Sequence, residues 1–188
     1  MISARLESAI KKLTDTRLDY LPEMTEDNKY STLPDRFRFS RLYLPGNAPG
    51  MMINAGLHSA DGIILDLEDS VAPDRKDEAR ILVRNALRQL NFNSAERMVR
   101  INQSERGMKD LEGVVPHNVN LVLIPKCEDA GTVRDIEGRI SEIRTSAGLT
   151  NPVYLMPIIE TAIVVEMEFE IARSALSVVE IAVGLEDL

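Results

Sequence analysis

Apolar residues along this chain fall into two kinds of run that alternate. Continuous runs at Arg41 to Leu44, Gly62 to Leu67, Met98 to Ile101, Leu121 to Pro125, Val153 to Ile159 and Glu180 to Leu185 have the character of strands buried on both faces. Between them, Met51 to His58, Arg75 to Leu90, Lys109 to Val114, Ala130 to Ser146 and Thr161 to Ala175 carry apolar positions at helical spacing. Such alternation predicts right-handed crossovers and a parallel sheet. An eight-stranded barrel of alternating strands and helices fits best, because polar and charged residues follow the C-terminal ends of several strands, where barrel active sites assemble. An open doubly wound sheet shares the alternation, but Gly46 and Gly50 are too sparse for a phosphate-binding fingerprint after the first strand.

The strand count limits that expectation. Six strands fit in the 188 residues, whereas a complete barrel of this kind runs to about 250. The expected fold is therefore a TIM-type (β/α)8 barrel of which this chain holds the first six strand-helix units, as the N-terminal part of a longer protein. The alternative is a six-unit domain that closes its open edge against another copy, since a bare parallel edge invites aggregation.

Residues 1–40 stand apart from the barrel segment, 41–188. Ile2, Leu6, Ala9, Ile10 and Leu13 form one stripe at helical spacing, which predicts an amphipathic helix packed on the domain or on a second subunit. A dedicated partner-binding helix is the sharper alternative. Tyr20 to Ser40 is polar, carries Pro22 and Pro34, and reads as a loop or linker.

Composition narrows the class. The net charge of −8 argues against a nucleic-acid phosphate binder. Cys127 is the single cysteine, so no intramolecular disulfide can form and a reducing, cytoplasmic setting is expected. No apolar run approaches the ~20 residues of a membrane span, and Arg5 and Glu7 interrupt the start of the chain, so neither a spanning helix nor a signal peptide is expected. His58 and His117 have no zinc-like spacing to Cys127 and are read as surface or capping residues, and Cys127 as a packed, idle thiol.

The chemistry concentrates after the second strand, where Asp66, Glu68 and Asp69 follow Ile63-Ile64-Leu65. Carboxylates clustered beside a buried strand repel one another and lose hydration, so they need a cation, an arginine or hydrogen-bond donors. Arg100, inside Met98-Val99-Arg100-Ile101-Asn102, is one such partner. It reads equally as a structural ion pair to that cluster or as a bidentate fork for a substrate carboxylate or thioester oxygen. Glu160 ends the fifth strand and Asp187 the sixth. Each alone has a plain reading, a helix-start acid and a surface acid; on adjacent strands their carboxylates can converge on one hard cation, Mg²⁺ or Mn²⁺.

Leu44-Pro45-Gly46-Asn47, Asp66-Leu67-Glu68-Asp69-Ser70-Val71 with Lys76 and Ala79-Arg80, Val99-Arg100-Ile101-Asn102, Pro125-Lys126, Ile159-Glu160-Thr161 and Gly184-Leu185-Glu186-Asp187 occur in this order. In this order they resemble the citrate lyase beta-subunit family, which includes malyl-CoA and related acyl-CoA lyases. The resemblance implies that Arg100 contacts substrate, that Glu160 and Asp187 are the metal ligands, and that Glu68 and Asp69 lie around the metal's waters; Asp69 or Glu68 is the first candidate for the general acid or base. It also places Pro45, Gly46 and Lys126 at the substrate. The implied reaction is a Mg²⁺-dependent carbon-carbon cleavage, or formation, of a 3-hydroxy-acyl thioester such as citryl- or malyl-CoA, or an acyl-carrier thioester, into an acetyl thioester and a 2-oxo acid. The implied state is a homo-oligomer or a lyase complex in the cytoplasm, with neither nucleic acid nor membrane as partner. Two alternatives stay open: an aldolase acting on a free 2-oxo acid, and a non-catalytic partial-barrel subunit. One departure is local, since Ile163-Val164-Val165 follows Thr161-Ala162 where the family usually has a glycine.

Overall fold

A computed structural model of the chain describes residues 2–25 and 32–184, with only the backbone of residues 2–6 and 163. Six parallel strands, β1 (Arg41–Pro45), β2 (Gly62–Asp66), β3 (Glu96–Arg100), β4 (Leu121–Ile124), β5 (Tyr154–Ile159) and β6 (Ala182–Val183), pair in the order of the chain. Because every crossover steps to the next neighbour in one direction, the sheet curls toward itself as a barrel wall does. The curl is visible in one side chain: Arg41, on the first strand, reaches Met156 Sδ on the fifth at 3.6 Å and pairs with Glu180 beside the sixth. The result is a six-stranded α/β half-barrel.

Helices α1 (Ile2–Leu13), α2 (Pro49–Met52), α3 (Lys76–Gln89), α4 (Ser104–Val114), α5 (Ala130–Ser146), α6 (Ala162–Val165) and α7 (Glu168–Ala172) complete the described residues with short 3₁₀ turns. Strand residues alternate between two cores. Ile63, Leu65, Val99, Val122, Leu155 and Ile159 face the helices, against Ala79, Val83, Leu111, Val133 and Ile136. Ile64, Met98, Leu121, Leu123, Met156 and Ile158 fill the concave side. Continuous apolar runs are therefore required of the inner strands β2 to β5, which are buried on both faces, whereas the edge strands β1 and β6 expose Arg41, Tyr43 and Val183.

The strand expectations hold to within a few residues, except that β6 is confined to Ala182–Val183; Leu185 lies outside the described residues. Helix α5 matches its expectation, and three helices differ. The helix expected from Lys109 starts at Ser104 and takes in Gly107, a packing glycine where a Cβ would lie 2.2 Å from the Asn102 carbonyl oxygen. The span from Thr161 to Ala175 divides into α6 and α7. The Met51 to His58 span is α2 followed by a 3₁₀ turn, ended by Ser59 in the left-handed region.

The N-terminal segment is a strap along α3. Leu13 is buried in the outer core, while Ala9 and Ile10 of the same stripe stay exposed; the side chains of Ile2 and Leu6 lie outside the described residues. Donors from α3 then catch successive carbonyls: Asn85 Nδ2 donates to Leu13 O (3.1 Å) and Asp15 O (2.9 Å), Arg84 Nη2 to Tyr20 O (2.6 Å), Arg88 Nε to Pro22 O and Gln89 Nε2 to Glu23 O. Polar composition gave this stretch the look of a loop, and its backbone polarity is met by the helix beneath it.

Residues 32–40 lie at the N-terminal mouth of the half-barrel. There Arg38 forks onto Glu96, Nε to Oε2 at 2.6 Å and Nη2 to Oε1 at 3.0 Å, with Thr32 donating to the same carboxylate. His117 is likewise drawn in rather than left at the surface. Arg88 Nη1 lies 3.0 Å from its Nδ1, and burial with the charges of Arg88 and Arg84 holds its pKa down to about 4. His58 is exposed as expected, and Cys127 is buried, its thiol pushed up to about 11 by burial.

Candidate active site

The site lies at the opposite mouth, at the C-terminal ends of the strands. Positions of one parity on each strand point inward, so Tyr43 on β1, Ile64 and Asp66 on β2, Met98 and Arg100 on β3 and Met156 and Ile158 on β5 line the concave side, and Glu160, next in register, follows β5. The middle inward positions are apolar and pack, Arg41 and Glu96 carry charge at the N-terminal mouth, and the uppermost positions carry charge at the C-terminal one.

Arg100 is forked onto Asp66, Nε donating to Oδ1 at 2.7 Å and Nη2 to Oδ2 at 2.8 Å. The structural ion pair that the sequence allowed is thus formed. Its remaining nitrogen, Nη1, lies 3.3 Å from Glu68 Oε2 and 3.7 Å from Asp69 Oδ2. Burial works against the Asp66 carboxylate, yet the Arg100 fork and the amides of Ser70 and Glu68 outweigh it and hold its pKa below the usual range. Arg100 is correspondingly held in its charged form despite burial. Glu68 behaves oppositely: burial and the neighbouring Asp69 raise its pKa, with Arg100 and Gln103 countering. One carboxylate lowered and its neighbour raised is the arrangement expected of groups that divide acid and base roles.

The Asp66 to Ser70 turn is fixed by its own backbone and by a buried lysine. Lys76, at the start of α3, donates from Nζ to Leu67 O at 2.8 Å and Glu68 O at 2.5 Å. Gly46 holds the first loop against this turn, its N–H donating to Asp66 O at 2.7 Å; a Cβ there would fall 2.5 Å from that oxygen. Pro45 lines a cavity of about 510 Å³ with Tyr43, Leu44, Asp66, Ser70 and Arg100. Lys126, in the left-handed region at φ 45°, sends Nζ to within 3.8 Å of Glu68 Oε1.

Glu160 is buried at the end of β5. The β6 backbone approaches it so closely that a Cβ on Gly184 would stand 2.7 Å from Glu160 Cγ, so the glycine leaves a cradle for the carboxylate. That buried oxygen donor fits a hard cation. Asp187, the second expected ligand, lies outside the described residues, and among the described residues no group of three His, Cys, Asp or Glu side chains forms a metal set.

The structure therefore brings Pro45, Gly46, Glu68, Asp69, Arg100 and Lys126 to one mouth with Glu160. Sequence reasoning gave no role to Tyr43, whose ring lies under the Arg100 guanidinium with Cζ 5.4 Å from its centroid, or to Gln103, whose Nε2 donates to Glu68 Oε1 at 3.2 Å. The signal for Tyr43 was its inward parity, shared with Asp66 and Arg100. Gln103 had none, because its loop is irregular.

Comparison with known proteins shows the family. The chain is 37% identical over 155 residues to citrate lyase subunit beta of Escherichia coli (strain K12), which covers 81% of this chain and 51% of that protein. It is 31% identical over 159 residues to the L-malyl-CoA/beta-methylmalyl-CoA lyase of Cereibacter sphaeroides (strain ATCC 17025), covering 82% and 50%. It thus spans about half the length of these curated relatives. Among solved structures it resembles the citrate lyase beta subunit from M. tuberculosis complexed with oxaloacetate and magnesium, at a TM-score of 0.61 and 28% identity over 80% of this chain and 61% of that one. The CitE protein of M. tuberculosis in complex with magnesium, acetoacetate and coenzyme A is similar at a TM-score of 0.62 and 28% identity, covering 81% and 51%. The family model for HpcH/HpaI aldolase/citrate lyase matches residues 40–188. An inward-facing charged mouth on a parallel half-barrel, family-wide sequence agreement and these structural neighbours place the chain in the HpcH/HpaI aldolase/citrate lyase family.

Proposed function

We propose that this chain supplies the first six units of a closed (β/α)8 barrel and acts as a Mg²⁺-dependent carbon-carbon lyase on a 3-hydroxy-acyl thioester, citryl- or malyl-CoA or an acyl-carrier equivalent. The single observation that carries the reading is the mouth itself, where the Asp66–Arg100 fork, Glu68 and the cradled Glu160 converge at the C-terminal strand ends. The chain's relatives include a citrate lyase subunit beta and an L-malyl-CoA/beta-methylmalyl-CoA lyase, and structural neighbours hold magnesium with oxaloacetate or acetoacetate.

In this reading Glu160 and Asp187 hold the metal. When bound there, Mg²⁺ supplies Lewis acidity to a 2-oxo or 2-hydroxy group. Arg100, already fixed by Asp66, offers the edge that faces Glu68 and Asp69 to the negative oxygens that develop as the bond breaks. Glu68, with its raised pKa, moves the proton together with Asp69, and Lys126 orients Glu68 or the substrate. Pro45 lines the substrate cavity, and Gly46 holds the adjoining loop against the Asp66 turn. Residues 1–40 are an accessory strap and 41–188 the catalytic part; the working protein is a homo-oligomer or lyase complex in the cytoplasm. No helix among the described residues is long and apolar enough to cross a membrane.

The test is release of acetyl-CoA from citryl-CoA and malyl-CoA with Mg²⁺ and with EDTA. Metal-dependent release supports the lyase. Turnover of free 2-oxo acids alone would turn the assignment to an aldolase, and no turnover even in a chain extended past Leu188 would leave a non-catalytic subunit.

A further inference from the structure

Tyr43 is the inward-facing residue of β1 whose ring meets Arg100, and no reading so far gives it work. It is half-exposed and lines the cavity that Pro45, Asp66, Ser70 and Arg100 share. Arg100 has two of its nitrogens committed to Asp66, while Nη1 faces Glu68 and Asp69. A fork hydrogen-bonded along one edge can still tilt about that edge, and the acids beside Nη1 pull it in their direction. A flat aromatic face under the guanidinium opposes the tilt and attracts the cation. Burial keeps the phenol itself neutral, so it adds no charge that would compete for Arg100.

We propose that Tyr43 is a positioning residue: its ring is a shelf that fixes the plane of the Arg100 guanidinium, so that the edge not engaged by Asp66 faces the carboxylate of a 2-oxo acid in the adjoining cavity. The identity of that ligand rests on the lyase reading; the shelf itself rests on the Tyr43–Arg100 geometry. What matters is the ring face, not the hydroxyl.

Titration calorimetry with oxalate, a planar dicarboxylate probe, in the presence of Mg²⁺ separates these points when run on the wild-type chain, Tyr43→Phe and Tyr43→Leu. The expected result is binding by Tyr43→Phe within about twofold of wild type and a loss of about 3- to 30-fold in Tyr43→Leu, the range of a partly buried cation–π contact. Where turnover is measurable, the Leu variant should raise KM for the thioester more than it lowers kcat. Equal binding by wild type and Tyr43→Leu would overturn the shelf, as would a Phe variant as weak as the Leu one. No oxalate binding by the wild type would overturn the lyase reading and this inference with it. Should Tyr43→Leu lack the wild-type circular dichroism spectrum, Tyr43→Met replaces it under the same criteria.

Discussion

The two mouths of the half-barrel each hold an arginine forked onto a strand carboxylate, and they differ in everything around that pair. At the N-terminal mouth the Arg38 and Glu96 side chains are 3% and 0% exposed, and the rest of the guanidinium donates to the carbonyls of Leu33 (3.1 Å), Pro34 (3.4 Å) and Arg36 (2.9 Å). At the C-terminal mouth Arg100 is 14% exposed, faces Glu68 and Asp69 besides Asp66, and opens on a cavity. A sealed pair with every donor used can only hold the fold together. A pair with one edge left over beside surplus negative charge can accept a ligand, which is how the same two residue types serve as structure at one end and as a candidate site at the other.

The sharpest way to break this contrast is Arg38→Ala. It leaves Glu96 charged and buried, which should cost about 3–5 kcal/mol, read as a lowered urea midpoint, with Mg²⁺ affinity unchanged. Replacing the pair together by Met and Leu should recover much of that loss.

A second probe of the sealed end is pH. The folded pKa of His117 is lowered to about 4 from 6.5 by burial and by Arg88 and Arg84. The unfolded chain therefore binds the proton more readily, so stability is full above about pH 6.5 and falls as pH drops toward 4, by up to roughly 3 kcal/mol. His117→Phe should flatten that decline in denaturation curves taken across the range.

At the open end, Glu160→Ala or Asp187→Ala should lower metal-dependent activity by about 100-fold or more while the circular dichroism spectrum is retained. Full activity of either variant with EDTA present would sink the metal assignment. The smallest effect should come from Lys126→Met. Its nitrogen is 3.8 Å from Glu68 on a side chain 41% exposed, so stability should change by less than about 1 kcal/mol, and any larger effect should appear in KM instead.

The sequence by itself determined the alternation of strands and helices, because a strand covered on both faces must be apolar throughout and leaves a continuous run. It also determined that Asp66, Glu68, Asp69, Arg100 and Glu160 belong at strand ends, since charge following such a run has nowhere else to go. The tertiary structure alone decided which arginine meets which acid. Arg100 and Asp66 are joined by parallel register, and Arg38 and Glu96 by a strap whose path no periodicity encodes. It alone decided that Gly107 lies inside a helix rather than ahead of one, and that it packs against Asn102. Tyr43 belongs to the same class. Nothing in Arg41-Leu42-Tyr43-Leu44 distinguishes a core tyrosine from a shelf beneath a guanidinium until the curl of the sheet brings β1 and Arg100 face to face. Burial is a one-dimensional pattern that a chain carries along its length, whereas a pairing of charges depends on distances that exist only after the sheet has paired and curled.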